Sequence, residues 1–573
     1  MITDEKIRDL RTLLGYMVEH YEKDAAFMYK DRPGGKYIPI SYRQFADDVR
    51  ALGSALLERG FGGKKIGVIG ENRYEWVVSY FAVACGLGVI VPLDRELPAP
   101  ELAALVRRAE LDGVIFSAKV ASKISDAAKL LEETGDSIPV RIAMDEPESS
   151  EERVSFQQLL SEGYSIIAGG RRAYEELPID PDEMRILLFT SGTTGLAKGV
   201  MLCHRNICYN VQATAEYVNM DILQNGKVGL SVLPIHHTYE FSADIVCALY
   251  QGCTVAFCEG LKYIAKNLVE AQASYILAVP LIFESVHKRV WKNAEKSGQL
   301  KKMETAIKAV KALSHLGPIS RRLERQTKRL FKSVHEGLGG HLELLIAGAA
   351  AVDPEVVRDF NAMGFMMLQG YGMTECSPII ALNPTWAAKP AAAGLPLRGT
   401  ELFIDDPDEY GVGEIVCRSE SVMLGYYKDP EETAKVLSPD GWLRTGDYGY
   451  LDKDGYVYIT GRKKNVIVTK NGKNIFPEEV EYYLCQSKYI KECVVRGIDS
   501  DKDDDLLVQA EIYPDFAEIS ESLGEQTPEA IEKLIKGEVD RINDLMSSYK
   551  RVKRVLLRDT EFEKTTTAKI KRW

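Results

Sequence analysis

The sequence predicts an α/β protein: a large N-terminal domain of stacked, mostly parallel sheets with a β-rich part, followed by a small α+β domain. Three observations lead there. From about residue 65 to residue 370, short aliphatic runs alternate with helix-like stretches, the pattern of parallel strands covered on both faces. After Gly411 the texture changes to turn-rich strands, and residues 463–573 mix helix and strand. A chain of 573 residues also exceeds what one core can fill. The expected boundaries are 1–462 for the large domain, with its β-rich part at about 395–460, and 463–573 for the small one.

The buried strands read in order as Lys65–Gly70, Gly86–Pro92, Gly113–Phe116, Arg185–Phe189, Val228–Leu233, Thr254–Phe257, Ile276–Val279 and Leu344–Ala347. Gly413–Val416 and Tyr456–Ile459 follow in the β-rich part. Pro477 with Glu478 and Glu479 just behind it starts a helix, since proline suits the first turn and acids suit the N-terminal end of the dipole. Between about residues 285 and 335 lies a helical insert of different character. Residues 288–332 hold fourteen Lys or Arg against three Glu. Two readings stay open for it: a solvated face of an extra helical hairpin, or a docking surface for anionic lipid headgroups or a phosphate-rich ligand.

Composition narrows the function. The chain is 45% hydrophobic and 27% charged, an ordinary folded protein, and its formal net charge of −12 gives no attraction to nucleic acid. The ten cysteines form no CxxC pair or Cys/His cluster, which argues against structural zinc and for reduced thiols. The first residues carry charges where a signal peptide needs an apolar run, and no apolar stretch reaches the length of a membrane span. The expected location is the cytoplasm, with peripheral membrane contact through residues 288–332 under the second reading of the insert.

The strand at Ile186–Phe189 runs into Thr190-Ser191-Gly192-Thr193-Thr194-Gly195-Leu196-Ala197-Lys198-Gly199. Its glycines let the backbone approach a ligand closely, while the hydroxyls, exposed N–H groups and Lys198 suit a polyphosphate. The glycine spacing and the Gly after Lys198 exclude a Walker loop. This string resembles the adenylate-forming superfamily of acyl-CoA synthetases, luciferases and peptide-synthetase adenylation domains, and the resemblance runs from about Tyr37 to Arg572.

The resemblance implies roles residue by residue. Thr190, Ser191, Gly192, Thr193, Thr194, Gly195 and Lys198 hold the phosphates of ATP, with Thr193 also counted as catalytic. His237, in Pro234-Ile235-His236-His237, lines the acyl pocket near the reacting carboxylate. Gly348-Ala349-Ala350 forms the adenine-binding turn, where relatives often carry Gly-Gly-Ala or Gly-Ser-Ala. In Gln369-Gly370-Tyr371-Gly372-Met373-Thr374-Glu375, Tyr371 stacks on adenine, Thr374 contacts the α-phosphate and Glu375 holds Mg²⁺. That cation suits a carboxylate oxygen, and charge on the triphosphate must be neutralised for attack at the α-phosphorus. Asp447 accepts the ribose hydroxyls, helped by Arg462 fifteen residues on. Lys464 is the hinge about which the small domain turns between two half-reactions. Gly472 passes beside the pantetheine of coenzyme A, and Lys569 bridges the carboxylate and the α-phosphate, although Ala568 stands where relatives usually have Gly.

The stretch Gly461–Glu481 is most like bacterial long-chain fatty acyl-CoA synthetases. The expected reaction is therefore carboxylate plus ATP to acyl-adenylate and pyrophosphate, then acyl transfer to coenzyme A, with a medium-to-long-chain fatty acid as substrate. Phe241 falls where long-chain relatives place an aromatic gate. Alternatives are an aryl or medium-chain acid ligase, a fatty acyl-AMP ligase serving a carrier protein, which would usually carry a further insert near the hinge, or an acyl-nucleotide sensor, which would be expected to lose Lys569 or Glu375.

Overall fold

The computed structural model describes residues 7–138, 140–190, 197–218, 223–314, 327–469, 474–499, 506–564 and 570–572. Ser191, Gly192, Thr193, Thr194, Gly195, Gly472 and Lys569 lie outside them. The chain divides into two compact units: residues 1–401 with 418–443, and residues 402–417 with 444–573.

Among the described residues, the first unit is built on two large sheets. One has eight strands in the order Gly425–Tyr426, Lys198–Cys203, Met184–Thr190, Val89–Leu93, Lys65–Ile69, Gly113–Phe116, Val140–Ala143 and Val154–Ser155. From Met184–Thr190 onward all neighbours are parallel, while the first three strands run antiparallel to one another. The other has nine strands, with a parallel centre of Met366–Gly372, Leu344–Ala347, Tyr275–Ala278, Val228–Ser231, Thr254–Phe257 and Ala25–Tyr29. Antiparallel strands close both of its edges. The expected parallel pairing holds for the aliphatic runs from Lys65 to Ala347, with Met184–Thr190 also taking an antiparallel neighbour, Lys198–Cys203.

The connections explain the aliphatic runs. Strand Lys65–Ile69 is followed by helix Tyr74–Ala84, which is buried from Trp76 through Ala84, as a helix apolar on all sides must be. Helices Ala99–Ala109 and Ala121–Glu132 then cover the same sheet through Leu102, Val106, Ile124 and Leu131. Under the nine-stranded sheet a second core gathers Phe283, Phe331, Val357 and Phe360.

The basic insert joins that second core. Helix Pro280–Lys296 is followed by Leu300–Ser314, whose Met303, Ile307 and Val310 recur at helical spacing and are buried. Lys311 reaches across to Glu355 at 2.9 Å and Asp359 at 2.7 Å. The other face stays in solvent, with Lys288, Arg289, Lys292, Lys296, Lys301, Lys302 and Lys308 exposed. No helix among the described residues is long and apolar enough to cross a membrane.

The second unit holds a sheet of Glu401–Asp405, Gly413–Arg418, Leu443–Leu451 and Val457–Arg462, and a smaller one of Ile490–Asp499, Leu506–Pro514 and Arg554–Leu557. Helices Pro477–Leu484 and Pro528–Asn543 pack on the smaller sheet through Val480, Leu484, Ile535 and Val539, against Val495, Ala510 and Ile512.

Candidate active site

In the first unit one cavity is lined where strands of both sheets end. Thr190 closes strand Met184–Thr190, Asp94 follows Val89–Leu93, His236, His237 and Thr238 follow Val228–Ser231, and Thr374 follows Met366–Gly372. Ligands of open α/β sheets sit outside the carboxyl ends of strands, so the topology and the cavity agree. Three residues singled out from the sequence, Thr190, His237 and Thr374, thus meet around one space.

The histidine loop is braced from a neighbouring element. Asn72 donates from Nδ2 to the Ser231 hydroxyl at 2.8 Å and to the Leu233 carbonyl at 2.7 Å, and its Oδ1 accepts from the Ile235 N–H at 3.1 Å. Burial, then the adjacent His237, lowers His236 well below the usual histidine range, so His236 is neutral at pH 7. Its 3.7 Å approach to Asp94 is therefore not an ion pair there. The rings of His236 and His237 lie 4.0 Å apart and tilted.

Glu375 and Lys198 are joined by residues that sequence reading missed. The Tyr426 hydroxyl donates to Glu375 Oε1 at 2.9 Å. Burial, then the Glu375 charge, pushes the phenol above its ordinary range, so it remains a donor. Lys198 Nζ sits 4.8 Å over the Tyr426 ring and 2.6 Å from Glu432. Hydrogen bonds from Lys198, then Lys435, hold Glu432 down at about 2. Tyr426 lies 51 positions beyond Glu375, and no local spacing could have signalled the pair. A divalent cation fits this arrangement: one carboxylate with an oxygen fixed by Tyr426 suits Mg²⁺, which takes its other ligands from phosphates and water. Among the described residues no cluster of three or more acidic, His or Cys side chains forms a dedicated metal cage.

The turn Gly348-Ala349-Ala350 follows strand Leu344–Ala347. A Cβ on Gly348 would lie 2.4 Å from the Tyr239 ring, which is why glycine stands there. Ala349 adopts φ +69°, a left-handed conformation uncommon for a residue with a Cβ. Gln369 braces the segment: its Oε1 accepts from the Val352 N–H at 3.3 Å and its Nε2 donates to the Pro390 carbonyl at 2.5 Å. Tyr371 is buried in the strand, Gly370 and Gly372 flank it, and Met373 donates its N–H to the Pro378 carbonyl at 2.9 Å. A Cβ on Gly372 would stand 1.9 Å from that same carbonyl oxygen.

A second, mostly apolar cavity lies in the first unit beside this turn, lined by Tyr239, Leu277, Ile346, Gly370 and Leu382, with Asp244 among them. Phe241 does not line it, contrary to the gate expected from the sequence. It packs 4.0 Å from Tyr80 and 5.2 Å from Trp76, centroid to centroid, and is 3% exposed. Residues two apart on a helical turn point about 200° apart, so placing Tyr239 on the cavity sends Phe241 to the core.

In the second unit Asp447 and Arg462 face each other across an antiparallel pair, with Arg462 Nε 2.7 Å from Asp447 Oδ1. Thr445 fixes the strand by accepting the Asp447 N–H at 3.1 Å and donating to the Ile415 carbonyl at 2.8 Å. Lys464 stands in the short turn Lys463–Asn465; burial, then Arg462 and Arg572, lowers its pKa.

A family model described as AMP-binding enzyme matches residues 17–427. The chain is 30% identical over 485 residues to long-chain-fatty-acid–CoA ligase 1 of Cavia porcellus, across 81% of this chain and 68% of that protein. Its fold is that of the anthranilate CoA ligase AuaEII in complex with anthranoyl-AMP, at TM-score 0.74 and 18% identity over 98% of this chain and 95% of that one. The ATP-bound MatB from Rhodopseudomonas palustris gives TM-score 0.72 at 23% identity over 97% of each chain. With residues 17–427 matched by its model and a relative 30% identical over 81% of its length, the chain belongs to the AMP-binding enzyme family.

Proposed function

We propose that this protein ligates a fatty acid to coenzyme A at the expense of ATP, through an acyl-adenylate. The observation that carries the reading is the cavity at which Thr190, His237 and Thr374 converge, beside a Glu375 carboxylate oriented by Tyr426. In the first step a carboxylate oxygen attacks the α-phosphorus, the α–β bridging bond breaks and pyrophosphate leaves. In the second the coenzyme A sulfur attacks the acyl carbon, its proton is released, and AMP departs with the C–O electrons. Bound Mg²⁺ neutralises triphosphate charge. The hydroxyls of Thr190 and Thr374 offer hydrogen bonds to phosphate oxygens, and His237 with neutral His236 forms the wall against which the carboxylate rests. Asp447 and Arg462 serve the ribose diol, and Lys569, Gly472 and Lys464 keep the bridging, pantetheine and hinge roles their motifs imply.

The substrate reading is a medium-to-long acyl chain, supported by the relative's name and by an apolar cavity beside the Gly348 turn. Each buried methylene contributes about 0.8 kcal/mol, so chain length should register steeply in kcat/KM. A panel of acids from C8 to C16, with acetate and a hydroxycinnamate, assayed for both pyrophosphate exchange and thioester formation, tests it. Highest kcat/KM for acetate or the aromatic acid would remove the long-chain assignment and leave adenylation standing.

The insert supports peripheral contact with an anionic bilayer. The segment exposes Leu281, Leu313 and Leu330 as well as its lysines, and each basic residue near such a surface contributes about 1 kcal/mol. Co-sedimentation should require anionic lipid and weaken with salt. Binding indifferent to both would leave the insert a solvated face.

A further inference from the structure

Away from these residues, the second unit brings two thiols face to face. Helix Pro477–Leu484 ends on Cys485, and strand Ile490–Asp499 returns beside it, so that the two Sγ atoms of Cys485 and Cys493 stand 3.6 Å apart. The sulfurs of a disulfide sit at about 2.05 Å, so closure needs a shift of about 1.5 Å. The two sites differ in access. Cys485 is exposed, whereas eight of the other cysteines are buried and Cys258 is half-buried. Cys493 is 4% exposed, within the unit's core.

We propose that Cys485 and Cys493 form a thiol–disulfide exchange site whose co-reactant is a low-molecular-weight disulfide of the glutathione class. The exposed Cys485 thiolate attacks one sulfur of the small disulfide, which breaks and releases one small thiol, leaving a mixed disulfide on Cys485. Cys493 then attacks the Cys485 sulfur, the internal bond forms and the second small thiol leaves. Two protein protons pass to the two small thiols, the protein gives up two electrons and the small disulfide takes them. Entry is through Cys485, because its sulfur is open to the small disulfide while Cys493 lies within the unit's core.

The bridge has a structural consequence. Glu481, one helical turn before Cys485, lies 2.5 Å from Arg572 Nη2 and accepts the Val495 N–H at 2.7 Å. Val495 is two residues beyond Cys493, on the same face of its strand. Joining Cys485 to Cys493 therefore fastens helix to strand where Arg572 is anchored.

The test uses the folded, reduced full chain incubated with oxidised glutathione, quenched with iodoacetamide and mapped by mass spectrometry. Expected are an internal 485–493 link short of two hydrogens, loss of alkylation at both positions, and recovery of both on adding reductant. Cys485→Ser, at an exposed position, should leave Cys493 without adduct or link, while Cys493→Ser should stop at a glutathione adduct on Cys485. Full alkylation of both cysteines in the treated wild type, a stable adduct on Cys485 that Cys493 never resolves, or a link between two molecules would each overturn the site.

Discussion

Tyr426 gives Glu375 a fixed orientation before any ligand arrives, and that carboxylate is where a cation would bridge protein and triphosphate. A hydrogen bond to a charged group is worth roughly 1.5–3 kcal/mol, which corresponds to about 10–100-fold in rate. Tyr426→Phe should therefore cut pyrophosphate exchange by about tenfold or more and raise the Mg²⁺ concentration needed for half-maximal rate. An unchanged Mg²⁺ dependence would show that the phenol does not position Glu375. Asp244 carries a different prediction. Its carboxylate is buried beside Glu240, and burial pushes both well up. An acid with a raised pKa binds its proton more tightly folded than unfolded, so it lends stability at low pH that is lost as pH rises from its unfolded value through its folded one. Asp244→Asn removes that titration, and thermal unfolding should then fall less between pH 5 and pH 8 than in the wild type. Parallel pH profiles would contradict the neutral buried carboxyl.

At the scale of elements, what could be read from the sequence and what could not divides by how local the cause is. Strands such as Gly113–Phe116 and Leu344–Ala347 are buried on both faces, so continuous aliphatic runs announced them. The positions of Thr190, Thr374 and His237 followed from motifs that sit at strand ends. The Tyr426–Glu375 bond and the Asn72 brace join residues distant along the chain, and no period or spacing encodes them. Phe241 was expected at a gate only through the resemblance to long-chain relatives, and the helical turn after Tyr239 sends its side chain into the core against Tyr80. The short turn Gly348-Ala349-Ala350 supplies a test of its own. Ala349 holds φ +69°, a left-handed conformation that costs a residue with a Cβ about 1–2 kcal/mol and strains a β-branched side chain further. Ala349→Val should lower stability and weaken ATP binding measured by calorimetry, while Ala349→Gly should keep ATP affinity. Wild-type ATP affinity in the valine variant would remove this turn from the nucleotide site.

For the whole molecule, the two half-reactions separate the roles assigned within residues 444–573. Lys569→Ala should lose most pyrophosphate exchange yet still convert supplied acyl-adenylate to thioester. Lys464→Pro fixes φ at the proposed pivot, and should keep exchange while thioester output falls. Equal loss of both steps in either variant would end the alternation reading. The course of the backbone has a further consequence. The chain enters the second unit at residue 402, leaves it at 418 and re-enters at 444. Strands Glu401–Asp405 and Gly413–Arg418 thus complete a sheet whose other half, Leu443–Leu451 and Val457–Arg462, arrives only after an excursion. Neither unit is a continuous cassette. A chimera that exchanged everything after residue 443 for a homologue's sequence would splice two halves of one sheet from different parents, Thr445 against Ile415 and Arg444 against Glu414 among the mismatched partners. Recombination that respects this architecture has to carry residues 402–417 along with the C-terminal block, two crossovers more than a simple tail swap.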